Sequence, residues 1–101
     1  MAVTAGYLAK VKAACGVTAT YYDTEVEAQI EAARLEMTRV GVDSTVAVNE
    51  SNQLVYMAVR TYCRIQFAES EQEAERLTRA FTSQLADLSM STGYMYEEAE
   101  T

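Results

Sequence analysis

The most apolar helical stretch of the chain is Leu54-Val-Tyr-Met-Ala-Val-Arg-Thr-Tyr-Cys-Arg-Ile-Gln-Phe-Ala68. Its apolar side chains recur at helical spacing and cover more than one stripe of the helix, which is typical of a central helix. We expect this helix to begin near Ser51 and to end at Ala68. In a chain of this size it lies in the middle of a small bundle or turns a second apolar face to a partner subunit, and we expect some of each.

Amphipathic helices are predicted on both sides of this central helix. Upstream, apolar residues recur every three or four positions from Glu25 to Val40, and Gly41 follows as a left-handed stop. Downstream, Ser70 and Glu73 match a capping box, in which a hydroxyl and a carboxylate bind the free backbone N–H groups of a helix start. The apolar pattern after this box continues to Leu88, which predicts a closing helix.

Another helix is predicted near the beginning of the chain. Thr4 is its expected N-cap and Gly16 its expected end. Residues 17–22 have no helical period and are interpreted as a connector in which a short strand is conceivable. Asp23 or Thr24 is the expected cap of the helix that follows.

These segments predict an all-α protein, with a small bundle of about four helices in residues 1–88 and a flexible tail in residues 89–101. Residues 42–50, between the second and third helices, are expected to form a loop. Proline is absent and glycine occurs four times, which disfavours a many-stranded sheet. The length of 101 residues fits one domain with a modest core.

The residue types argue against an enzyme and against binding of a cofactor or metal. Histidine is absent, which removes the commonest general base and the commonest nitrogen ligand of zinc. The glycines stand too far apart for a phosphate-binding loop. The one dense group of carboxylates surrounds a predicted helix start, where it favours the helix dipole and water, and consists of Glu69, Glu71, Glu73 and Glu75.

Charge and hydropathy limit the classes of partner that the chain can bind. The net charge is −7, and the eight Lys and Arg residues form no run, so sequence-specific DNA binding is disfavoured. Residues 1–7 lack the pattern of a signal peptide and no apolar run reaches the length of a membrane helix, so we expect a cytosolic protein without a membrane partner. Cys15 and Cys63 lie in apolar contexts and are expected to be reduced core thiols.

Two groups of residues are candidates for protein contacts. Arg60 and Arg64 lie one turn apart on the most apolar helix, which carries no acidic residue to offset them. They are either surface arginines neutralised by the acidic start of the closing helix, or members of a subunit contact. The tail is otherwise polar but contains Tyr94, Met95 and Tyr96, which either fold back on their own bundle or order on a partner.

Two of these helices resemble those of a known family, the head-tail connector (adaptor, or head completion) proteins of tailed phages. The central stretch resembles the family's third helix. The closing helix is similar over Glu73-Ala-Glu-Arg-Leu-Thr-Arg-Ala-Phe-Thr-Ser-Gln-Leu-Ala-Asp-Leu-Ser-Met-Ser-Thr-Gly-Tyr94, with its Ala-Glu-Arg start and Leu-Ser-x-Ser ending. A proline frequent in the family before the third helix is replaced here by Ser51-Asn52. The likeness covers most of residues 7–94 and is sharpest in the second half.

The resemblance implies a structural virion protein at the phage neck, assembled in the host cytoplasm. Such proteins form a ring, twelvefold by family resemblance, beneath the portal protein. The ring extends the DNA channel and joins the capsid to the stopper or tail completion protein. DNA would pass without specific binding, which fits the negative charge because a like-charged duct repels phosphate. The alternative is a small helical phage or prophage regulator that acts by protein–protein binding.

Overall fold

The structure of the protein is a computed structural model, and it describes residues 3–90. This part of the chain is helical, with no β-strand, and the prediction of an all-α fold is confirmed. A short 3-10 turn, Thr20–Tyr22, precedes the second helix. The helices are α1 (Ala5–Ala14), α2 (Asp23–Arg39), α3 (Ser44–Ala47), α4 (Gln53–Gln66) and α5 (Glu71–Met90).

Side-chain caps begin α1 and α4, and the cap of α1 is the predicted Thr4. The Thr4 hydroxyl accepts a hydrogen bond from the backbone N–H of Tyr7 at 3.3 Å, at the start of α1. The Asn52 side chain accepts one from the backbone N–H of Val55 at 3.1 Å, at the start of α4. Asn52 is thus the N-cap of the central helix, at the place where the family frequently has a proline.

The predicted glycine stops and the capping box are present. Gly16 and Gly41 have φ angles of 77° and 105°, a left-handed backbone that follows α1 and α2. At the start of α5 the Ser70 hydroxyl accepts a hydrogen bond from the N–H of Glu73 at 3.1 Å. The Glu73 carboxylate accepts one from the N–H of Glu69 at 3.1 Å, one residue earlier than the standard box.

Two local predictions were wrong. Neither Asp23 nor Thr24 caps α2, because Asp23 is already helical and its carboxylate forms an ion pair with the ammonium group of Lys12 instead. Residues 44–47 form the short helix α3 instead of a loop, because the Asp43 carboxylate caps it by accepting the N–H of Thr45 at 2.9 Å.

Helix α4 is the centre of the fold. It packs against α1, α2 and α5, and α5 packs principally against α4. Tyr62 of α4 and Phe81 of α5 meet with ring centroids 5.1 Å apart. The larger side chains that are fully buried in the core are Val11, Val26, Ile30, Met37, Val42, Val55, Val59, Cys63 and Leu88.

A polar network fastens the beginning of the chain to the segment before α4. The buried guanidinium of Arg34 donates to the Glu50 carboxylate at 3.2 Å. The backbone N–H of Thr4 donates to the same carboxylate at 3.1 Å, and the Thr4 hydroxyl donates to it as well. Although burial opposes ionisation, these hydrogen bonds outweigh it and lower the pKa of Glu50.

Both cysteines are free thiols, as predicted. Cys63 is fully buried, and this burial raises its pKa to about 12. Cys15 is half-buried, and burial raises its pKa as well. Thiols of this kind stay protonated and act as small core residues.

Candidate interaction surface

One side of α4 is left open between its neighbours. Leu54, Met57, Arg60 and Arg64 lie along it, and we refer to these four residues as the α4 face. Leu54 is 47% exposed and Met57 is 40% exposed, while Arg60 and Arg64 are half-buried. The central helix is therefore mostly enclosed by its own chain, and the part that remains open is narrow and both apolar and cationic.

Arg60 lies against an aromatic ring, and no carboxylate of residues 3–90 forms an ion pair with it. Its guanidinium carbon lies 5.6 Å from the ring centroid of Tyr56, and the ammonium group of Lys10 lies 4.1 Å from the same centroid. The Nε–H group of Arg60 is buried and has no hydrogen-bond partner in residues 3–90. A buried donor without an acceptor costs free energy.

Arg64 lies at the other end of the α4 face. It lines a groove of about 270 Å³ with the end of α1, including Cys15, and with Glu69 and Glu73 at the start of α5. The acidic start of α5 therefore faces Arg64, whereas Arg60 does not line this groove. Among residues 3–90, neither arginine forms an ion pair within 4.0 Å.

A second groove of about 270 Å³ adjoins the apolar end of the α4 face. Leu54 and Met57 line it together with Gln84, Asp87 and Leu88 of α5. The side-chain carbonyl oxygen of Gln84 is buried and accepts no hydrogen bond from residues 3–90. Apolar walls beside an unsatisfied acceptor are features of protein contact surfaces.

The distribution of ion pairs sets the α4 face apart from the rest of the molecule. Four of the eight cationic side chains form ion pairs within the described helices and loops, namely Lys12, Arg34, Arg39 and Arg76. The other four are Lys10, Arg60, Arg64 and Arg79. Three of these lie on the α4 face or directly beside it, although the chain has fifteen acidic residues.

The structure brings together only part of the candidate set. Arg60 and Arg64 share the α4 face with two exposed apolar residues. Tyr94, Met95 and Tyr96 lie outside the described residues, so their role stays a prediction.

Sequence reasoning missed an exposed leucine on α2. Leu35 is 71% exposed and borders a groove with Glu31, Thr38 and Val48. The sequence did contain a signal. Leu35 falls outside the apolar stripe of α2 to which Ile30 belongs, and it is the one large apolar residue on the polar side of that helix.

The described residues offer surfaces for contact at the α4 face and around Leu35. Within residues 3–90, no group of three or more His, Cys, Asp or Glu residues is arranged to hold a metal ion. No helix of residues 3–90 combines the length and apolar character needed to cross a bilayer. The fold and the α4 face define a small helical protein of the kind that acts through contacts with other proteins.

Comparison with known families narrows this class. A family model described as "phage connector protein" matches residues 7–95. The chain belongs to the phage connector protein family, which confirms the resemblance to head-tail connectors. This family is structural and implies a virion component at the junction of head and tail. No curated protein and no solved structure matches the chain.

Proposed function

We propose that the chain is a subunit of a ring beneath the portal protein, where it extends the DNA channel and offers a surface to the stopper or tail completion protein. The observation that carries this function is the family match over residues 7–95. In this role the protein catalyses no reaction and needs no cofactor. It is assembled in the host cytoplasm and remains in the virion neck.

The charge of the chain supports a channel that lets DNA slide. Fifteen acidic and eight basic residues give a net charge of −7. A wall with this balance repels phosphate, so the genome passes without the counterion release that drives DNA binding. DNA therefore passes through the ring without being bound by it.

The α4 face supports contact between subunits of the ring. Its two exposed apolar side chains and two arginines form the kind of surface that a partner covers, since apolar and arginine residues are enriched at the centre of interfaces. Arg60 and Arg64 are therefore proposed as subunit contacts. A twelvefold ring is the stoichiometry suggested by the family resemblance.

The C-terminal residues are proposed to dock on the portal. Tyr94, Met95 and Tyr96 supply apolar anchors at the end of the sequence, beyond α5. A short segment with such anchors binds a larger partner by ordering on it.

The experiment is reconstitution with the portal protein of the same phage. The purified chain is mixed with portal rings and the particles are imaged by electron microscopy, with a variant that ends at Met90 as the matched comparison. We expect an added ring at the narrow end of the portal for the full chain, and weaker addition for the shortened one. Portal particles that gain no density at any protein concentration would refute the proposed function.

A further inference from the structure

The outward side of α2 carries a surface that complements the α4 face. Glu27, Glu31 and Leu35 follow one another at four-residue steps, so they lie along one side of the helix, and we refer to them as the α2 face. Leu35 is 71% exposed, Glu31 is exposed and Glu27 is half-buried. Neither carboxylate forms an ion pair with a cation of residues 3–90.

The two faces lie on different helices and each points away from the core. Helices α2 and α4 pack against each other. Ile30 of α2 is fully buried, and Leu35 lies about 140° around the helix from it. Val55 of α4 is likewise buried, and Arg60 and Arg64 lie about 140° and about 180° from it. Each face therefore lies on the side of its helix that is turned away from a buried core residue.

The spacing of charged and apolar residues matches between the faces. On α2 the two carboxylates lie about 6 and 12 Å along the helix axis from Leu35. On α4 the two arginines lie about 4.5 and 10.5 Å along the axis from Met57. When the two exposed apolar residues are in contact, both carboxylates fall within reach of a guanidinium group, and arginine pairs well with carboxylate at interfaces.

We propose that the α4 face of one copy binds the α2 face of a second copy of this chain, an inference that rests on the proposed ring and names its subunit contact. Leu35 of one copy packs against Met57 of the next. The two arginines meet the two carboxylates, which accept hydrogen bonds from the guanidinium groups.

The arrangement of the faces gives the contact its symmetry. A two-fold dimer would use the same surface on both copies, whereas this contact uses two different surfaces of each copy. Such a head-to-tail contact repeats from copy to copy and closes into a ring when the rotation permits. One contact type is then sufficient for the whole assembly.

The test exchanges the charges of the two faces. One variant carries R60E and R64E, a second carries E27R and E31R, and a third carries all four changes. The R76E/R79E variant is the matched control, since it reverses two cations on exposed positions of α5. Circular dichroism first confirms that each variant folds. Self-association is measured by sedimentation velocity, and ring addition by imaging with the portal.

We expect each two-residue variant on the faces to weaken self-association by about a hundredfold, because attraction between the faces becomes repulsion. The four-residue variant restores assembly with itself, since both faces are reversed together, but does not enter rings of the wild-type chain. A mixture of the two deficient variants also restores assembly, because each supplies the face that the other lacks. The R76E/R79E control assembles like the wild type.

The contrary outcomes separate this contact from the proposed function. If the wild type forms a portal-bound ring and both deficient variants do so equally well, the contact is wrong and the ring stands. The contact is also wrong if the four-residue variant stays deficient. It is wrong as well if removal of residues 91–101 abolishes self-association, since that outcome would assign the α4 face to the acidic C-terminal segment. If the wild type adds no ring to the portal, the proposed function fails and the contact fails with it.

Discussion

The two sides of α4 differ in how their surfaces are used. On the core side of α4, Val55, Val59 and Cys63 are fully buried. On the open side, Leu54 and Met57 remain 47% and 40% exposed beside two arginines without ion pairs in the described residues. The difference indicates that the first side stabilises the subunit and that the second is kept for a partner. Substitutions on the two sides should therefore separate folding from assembly.

The largest effect is expected from Ile30→Ala on the buried side of α2, the helix that packs against α4. Ile30 is fully enclosed, and removing its side-chain carbons leaves a cavity, so the free energy of unfolding should fall by about 3 to 4 kcal/mol. Chemical denaturation monitored by circular dichroism measures this change. Leu35→Ala on the same helix is the control and should alter the free energy of unfolding by less than about 0.5 kcal/mol. Equal losses for the two variants would contradict the division of α2 into a core side and a contact side.

A smaller loss is expected from Glu50→Gln, which removes the charge that Arg34 and Thr4 bind. The buried guanidinium loses its ion-pair partner, and the free energy of unfolding should fall by about 2 kcal/mol at neutral pH. The control is Asp43→Asn, which neutralises a carboxylate of similar burial outside this network. It should change the free energy of unfolding less than Glu50→Gln does, because asparagine also caps a helix.

The same variant should also change how stability depends on pH. The pKa of Glu50 is lower in the folded protein than in the unfolded chain, so its contribution is complete above the ordinary carboxyl pKa and is lost as pH falls through the folded value. Unfolding curves measured from neutral to acidic pH should therefore show a shallower loss for Glu50→Gln than for the wild type. Parallel pH profiles would show that Glu50 does not contribute to acid sensitivity.

The smallest effect on folding is expected from Met57→Ser on the open side. Met57 is partly exposed, so the free energy of unfolding should change by less than about 1 kcal/mol. Ring addition to the portal should nevertheless decrease, because this residue lies at the apolar end of the α4 face. Gln66→Ser, at an exposed position near the end of the same helix, should leave both quantities unchanged. A Met57→Ser variant that assembles normally would remove the distinction between the two sides of α4.

The helices could be predicted because their signals are local. The spacing of apolar residues, the cap at Thr4, the stops at Gly16 and Gly41 and the box that begins at Ser70 each act within a few positions of the chain. A single sequence is enough to interpret such signals.

The features that escaped prediction depend on residues far apart in the chain. Asp23 could have capped α2, but Lys12 draws its carboxylate into an ion pair eleven positions away. Glu50 binds Thr4 across 46 positions. The exposed Leu35 likewise gains a proposed role only when the α2 face is compared with the α4 face. Pairings of this kind are set by the tertiary fold and leave no periodic trace in the sequence.

The attachment of α5 has a consequence for motion. This helix is about 30 Å long for its twenty residues, and it is held principally by α4. Separation of α5 would break the seam around Phe81 while the contacts among α1, α2 and α4 persist. We therefore expect α5 to separate from the rest of the protein at a lower free-energy cost than global unfolding. A subunit whose last helix separates in this way would adjust to an imperfectly matched neighbour while the packing among α1, α2 and α4 is kept.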